Sequence, residues 1–146
     1  MTDRQYSSAL VAAQFLLGAV VVLSTRRQGW RMAGPALVVA GTALGAWAVA
    51  AMGLRRVRVR PEPAQGQALV TRGPYRVLRH PMYTGALLAA GGCALMPPLP
   101  WRLLAWATLT VLLVTKLRFE ETLLRQAFAG YEAYARRTWR LVPFVY

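Results

Sequence analysis

The sequence predicts an all-α integral membrane helical bundle, with about four transmembrane helices and a C-terminal amphipathic helix at the cytoplasmic face. Apolar residue types make up 56% of the 146 positions, above the usual globular share. They are gathered into long uncharged blocks rather than spread as stripes, the pattern of a chain whose solvent is lipid. The net charge of +13 comes from seventeen arginines and a single lysine placed between and after those blocks. A soluble chain so basic would suggest nucleic-acid binding. This placement instead matches the positive charge of cytoplasmic loops, and no nucleic-acid partner is expected.

The first block, residues 6–25 ("YSSALVAAQFLLGAVVVLST"), is uncharged and has one strongly polar interior residue, Gln14. At 1.5 Å per residue it is long enough to cross a hydrocarbon core of about 30 Å. The flanking "MTDR" and "STRRQGWR" match a signal peptide and its cleavage site poorly, so the block is assigned to a first transmembrane helix. Residues 32–54 form a second span, in which Gly41 and Gly45 have the small-xxx-small spacing that admits a close helix, including one from a second copy of the chain. Residues 55–81 hold seven arginines and four prolines and read as a polar cytoplasmic loop, within which "QALVTRG" is a short strand or simply extended.

Residues 82–97 and 101–117 form shorter third and fourth spans, with "PPLP" making the tight turn between them. The fourth span is expected to reach both interfaces by snorkelling Arg102 at one end and Lys116 at the other. From Lys116 onward helical periodicity persists, with Leu117, Leu124, Phe128 and Tyr131 on one face, so residues 118–137 read as an interfacial helix. Thirteen of the eighteen basic residues lie in the 55–81 loop and the tail, which places both termini in the cytoplasm.

This topology brings two chemistry-bearing segments to one membrane face. "RHP", with the only histidine, precedes the third span, and Glu120 and Glu121 follow the fourth. Pro81 suits the first turn of a helix, placing His80 at the cap. Each glutamate also has an ordinary partner on its own helix, Glu121 with Arg125 and Glu120 with Lys116. Helical neighbours diverge by about 100°, so one of the two is expected to turn into the hairpin. Tyr75, Tyr83, Tyr131 and Tyr134 suit interfacial anchoring as well as a site. Phosphate loops, "GxSxG" and "HExxH" are absent, the three serines all precede residue 25, and one Cys with one His gives no metal spacing.

"GPYRVLRHPMYTG" followed by "RFEETLLRQAFAGYEAYARRTWRLVP" resembles the isoprenylcysteine carboxyl methyltransferase family and its relatives, which include phospholipid N-methyltransferases. The shared pattern is R-H-P-x-Y-x-G, a paired glutamate some forty residues on, and F-x-G-Y-x-x-Y-x-x-R-T before a final proline. The resemblance implies S-adenosylmethionine as cofactor, bound at the cytoplasmic face. It implies cofactor contacts by Tyr75, Arg79, His80, Pro81, Tyr83, Gly85, Glu120, Glu121 and Tyr131, and catalytic parts for Arg137, Glu121 and Tyr134. It implies a lipophilic or prenylated acceptor reached from the membrane lipids, with carboxyl O-methylation leading and N-methylation of a phospholipid amine as the alternative. A non-catalytic protein binding lipid or a partner helix is the alternative from a different class. Related membrane reductases share "HP-x-Y-x-G" but follow the glycine with an acidic residue, where this chain has Ala86.

Overall fold

The computed structural model describes residues 3–24, 33–53 and 69–146, with side chains from Ser8 onward. Among these residues the regular structure is helical: α1 Asp3–Leu23, α2 Ala33–Met52, a 3-10 turn Gly73–Arg76, α3 Pro81–Ala94, α4 Pro100–Ala127 and a short α5 Tyr131–Ala135. Most of the expected loop, including Arg55 to Gln67, lies outside the described residues. So does the start of "QALVTRG", whose described end is irregular before the 3-10 turn.

Among the described helices α2 is long and apolar enough to cross a membrane by itself, and 11% of its apolar span is buried inside the protein. Its outer face, with Val39 and Trp47, is exposed, as are Phe15, Leu16 and Val20 on α1 and Leu104 and Val111 on α4. The core is thin. Val21, Ala90, Cys93, Ala94, Leu109 and Leu113 form it, flanked by Leu17, Val38 and Trp106.

α2 packs most extensively on α3, α1 on α4, and α3 also touches α4 and α1. The α2–α3 contact is backbone on backbone. A Cβ on Gly85 would stand 2.6 Å from the Gly41 carbonyl and 2.8 Å from the Gly45 amide, and one on Gly92 would stand 2.5 Å from the Gly34 carbonyl. Only glycine permits that approach. The close helix that the Gly41/Gly45 spacing admits is, at Gly41, α3 of the same chain, while a Cβ on Gly45 would meet nothing within 4 Å.

Two basic residues depart from the expected snorkelling. Arg102 is fully buried. Its guanidinium turns inward and donates to the carbonyls of Met96, Pro97 (3.1 Å), Val21 (3.1 Å) and Cys93 (2.6 Å). It satisfies carbonyls near the ends of α1 and α3 that lack helical partners. Lys116 is 1% exposed and donates to Gln14 Oε1 at 2.8 Å.

The tail also differs from the expected interfacial helix. α4 continues unbroken through Lys116 to Ala127, because no glycine or proline interrupts it before Gly130. Its 28 residues span about 42 Å, longer than a hydrocarbon core, so the turn bearing Glu120 and Glu121 projects beyond the apolar part. Phe128 then turns extended and α5 is barely more than one turn. The "PPLP" hairpin forms as expected, with Leu95 bridging Pro98.

Candidate active site

The segment before α3 is fixed from both sides. Gly73 has a φ of 60°, and Arg72 Nε donates to the Ala51 carbonyl at 2.9 Å, tying the 3-10 turn to the end of α2. On the other side the tail pairs with it like a short parallel strand. Leu78 bridges Trp139, the Arg79 amide donates to the Trp139 carbonyl (2.7 Å) and the His80 amide to the Arg140 carbonyl (3.1 Å). Pro81 opens α3 with His80 as its N-cap, as the sequence predicts, and the His80 carbonyl accepts from the amides of Tyr83 and Thr84.

Glu121, 1% exposed, is the electrostatic centre. Arg79 Nε donates to its Oε1 at 2.8 Å and Arg140 Nε to its Oε2 at 3.0 Å, while Arg125 reaches Oε2 at 3.5 Å in the expected i,i+4 pair. Burial pushes this carboxyl up, but His80, Arg140 and Arg79 outweigh it and hold the group down at about 2. The His80 contribution is a long electrostatic contact, since Nε2 stands 3.5 Å from Oε1 and forms no good hydrogen bond. Arg79 also donates to the carbonyls of Ala135 (2.5 Å) and Thr138 (2.8 Å). Glu121 thus fastens α4, the pre-α3 segment and the tail together.

Its neighbour Glu120 does different work. It accepts from Tyr83 Oη at 2.8 Å and lies 3.8 Å from His80 Nδ1. It lines a cavity of about 290 Å³ together with Tyr75, Arg79, His80 and Tyr83. Gln14, Phe15, Met52, Met82, Ala86 and Lys116 complete the wall. The His80 and Tyr83 rings stack at 5.4 Å, 3° from parallel. Both glutamates therefore turn inward, 100° apart, to different partners.

Three buried polar atoms here have no hydrogen-bond partner: Tyr75 Oη, His80 Nε2 and Tyr131 Oη. Burial raises the Tyr75 and Tyr131 phenols well above their ordinary value, so both stay protonated donors. Tyr134 donates to the Tyr75 carbonyl at 2.9 Å, and burial pushes its phenol up to about 12. Pro81 and Gly85 are buried on α3, Gly85 against α2 rather than in the cavity wall.

Arg137 is not brought in. It is exposed, its amide donates to the Tyr134 carbonyl, and it is neither in the cavity wall nor an ion-pair partner of Glu121. Arg140, three residues on, takes the place beside Glu121 because the pairing of Trp139 with Leu78 carries it there. The resemblance ended its pattern at R-T and so missed Arg140. Its hint in the sequence was only a further arginine ahead of the final proline.

A sequence model of the phospholipid methyltransferase family matches residues 30–130. The chain is 28% identical over 153 aligned positions to protein-S-isoprenylcysteine O-methyltransferase B of Arabidopsis thaliana, covering 99% of this chain and 77% of that protein. It is 37% identical over 79 positions to a probable protein-S-isoprenylcysteine O-methyltransferase of Oryza sativa subsp. indica, covering 53% of this chain and 41% of that protein. The matched region contains α2, α3, α4, the whole cavity wall except Gln14 and Phe15, and the glutamate pair, and on that ground the chain belongs to the phospholipid methyltransferase family of membrane methyltransferases.

Proposed function

We propose that this methyltransferase uses S-adenosylmethionine to methylate the carboxylate of a lipophilic, isoprenylcysteine-like acceptor. The reaction takes place at the cytoplasmic mouth of a four-span bundle. The observation that carries this reading is the cavity itself, in which His80, Arg79, Tyr75 and Glu120 share one wall system with the apolar Phe15, Met52 and Met82. A polar cofactor and a greasy acceptor meet in such a space.

The residues fit the cofactor. Glu120 offers a carboxylate oxygen to ribose hydroxyls or to the ammonium of the methionine part. Tyr75 Oη is buried without a hydrogen-bond partner, a state that costs about 1–3 kcal/mol, and His80 Nε2 has only its long contact with Glu121 Oε1 at 3.5 Å. The bound cofactor supplies a methyl group on a positively charged sulfur. A carboxylate acceptor is already ionised at neutral pH. Its oxygen forms the new bond to the methyl carbon as the carbon–sulfur bond breaks, the electron pair stays on sulfur, and no proton moves. The protein's part is alignment and exclusion of water.

The basic residues of the 55–81 loop and the tail favour an orientation with the site and both termini in the cytoplasm. Impermeant thiol labelling of Thr71→Cys and Trp101→Cys tests it, and labelling of position 71 from the outer face would reverse it. N-methylation of a phospholipid amine is the second reading, favoured by the description of the matching family. It needs a base for the amine proton, a task for His80 or Glu120.

Mass spectrometry after incubation with methyl-deuterated cofactor decides between them. Label is expected on a farnesylcysteine carboxylate and not on phosphatidylethanolamine; the reverse result establishes the second reading. No cofactor binding by calorimetry in a folded sample would remove both.

A further inference from the structure

Lys116 is the only lysine among eighteen basic residues. It is 1% exposed, sits in the cavity wall, and has a neutral hydrogen-bond partner, Gln14 Oε1, at 2.8 Å. Its Nζ also stands over the Tyr83 ring at 5.2 Å. Tyr83 in turn gives its hydroxyl to Glu120, so the carboxylate one turn away on α4 is hydrogen-bonded to that phenol and not to Lys116. Among the described residues no carboxylate lies within ion-pair reach of Lys116.

A cation in such a place is costly. An ammonium removed from water needs a counter-ion or full hydrogen bonding, and ionisable groups at membrane depth mark substrate paths. Gln14 and the ring face of Tyr83 hold the ammonium without a direct counter-ion, and Glu120 across the same cavity acts on it only through space. The strongly polar residue of the α1 block is thus spent on positioning this cation, on a wall that also carries Phe15 and Ala86.

We infer that Lys116, held by Gln14, is the anion-binding subsite of the cavity and takes the carboxylate of the lipophilic acceptor. The assignment to an acceptor rests on the methyltransferase reading above. A carboxylate placed there neutralises the buried ammonium while its tail lies along the apolar wall. A cationic amine head group meets repulsion instead, so this subsite selects O-methylation over N-methylation. Methylation removes the negative charge, so the ester is held less tightly than the acid, which favours product release.

Calorimetry on the purified full chain in a nonionic detergent, without cofactor, tests the subsite directly. The probes are a farnesyl thioether ending in a carboxylate, its primary amide and its amine. The parent protein is expected to bind the carboxylate at least tenfold tighter than the amide, and the amine weakest. Lys116→Met, of similar length, is expected to lose the carboxylate preference. Equal binding of carboxylate and amide by the parent, or an unchanged preference in Lys116→Met, overturns the inference. Should Lys116→Met fail to fold, the parent's own ranking of the three probes decides. Displacement of the carboxylate probe by added phosphatidylglycerol would assign the subsite to lipid phosphate and also overturn it. A separate titration with S-adenosylmethionine tests the methyltransferase reading, and its failure leaves the probe ranking, and hence the anion subsite, intact.

Discussion

Arg79 and Glu121 meet at 2.8 Å across forty-two residues of sequence. The contact joins the segment before α3 to the C-terminal part of α4. The same carboxylate also holds Arg140, so three pieces of chain share one buried negative charge. Glu121 is thereby a structural clamp, and the neighbouring Glu120 is the glutamate that faces the cavity.

Replacing Glu121 by Gln leaves the part-buried guanidinium groups of Arg79 and Arg140 without their shared buried counter-ion, a change expected to cost about 3 kcal/mol. Thermal unfolding in detergent should show a clear loss for Glu121→Gln and a much smaller one for Glu120→Gln. Cofactor affinity should respond to Glu120→Gln in a sample that remains folded.

The same clamp predicts an acid dependence. The Glu121 carboxyl, on the part of α4 beyond the apolar span, falls from 4.5 to about 2 on folding. A depressed carboxyl contributes stability in full above its unfolded value and loses it as pH drops through the folded one. The difference in unfolding midpoint between parent and Glu121→Gln should therefore be wide at neutral pH and shrink as pH falls from about 4.5 towards 2. A constant difference across that window would contradict the clamp.

Arg140 and Arg137 should separate under a charge-preserving change. Lysine lacks the planar fork and the Nε donor that Arg140 uses on Glu121. Arg140→Lys is expected to lower turnover about tenfold, equivalent to about 1.4 kcal/mol in the barrier. Arg137→Lys, at an exposed position, should stay within about twofold. Initial rates of labelled-methyl transfer measure both.

Gly85→Ala should destabilise strongly, because the added methyl meets backbone on α2 at 2.6 and 2.8 Å and overpacking costs about 1–3 kcal/mol. Gly45→Ala meets nothing within 4 Å and should be neutral, or stabilising by up to about 1 kcal/mol through helix propensity. Unfolding midpoints of the two variants check the contrast.

Arg102→Leu removes the donors that serve the carbonyls of Val21, Cys93, Met96 and Pro97. Val21, Cys93 and Pro97 keep a second donor each, from Ser24 Oγ and the amides of Met96 and Leu99, so the Met96 carbonyl is the acceptor left unmet, at about 1–3 kcal/mol, and the variant should unfold at lower temperature even though leucine suits a membrane. An unchanged midpoint would mean that this arginine does serve the interface.

What the sequence made legible was local or set by lipid. The apolar blocks, the Pro81 start with His80 at the cap, the "PPLP" turn and the meeting of "RHP" with the glutamate pair follow from composition, ring geometry and a hairpin. Features set by distant contacts stayed hidden. Gly41 announced close approach but not that Gly85 of the same chain would provide it. Arg102 and Lys116 looked like snorkelling cations at the ends of an apolar block, because nothing near them in sequence reveals the carbonyls and the Gln14 amide that draw them inward. Arg140 was missed because its place depends on the pairing of Trp139 with Leu78, and Arg137 was favoured because it belonged to a recognisable motif. The helix expected from 118 to 137 overlooked how well "KLRFEETLLRQA" continues α4.

The bridge between Leu78 and Trp139 also sets an order of assembly. Sixty-one positions separate the two residues, and a ribosome adding about 5–20 residues per second needs roughly 3 to 12 seconds to cover them. Throughout that interval the nascent chain exposes "RHP" without the strand that fixes it. Glu121 emerges before Arg140, and the clamp can close only after translation has passed residue 140. Any ligand meeting the nascent protein earlier finds the cavity wall, which ends at Glu120, without the tail that clamps it, so the rigidity of the site is timed by synthesis of the tail.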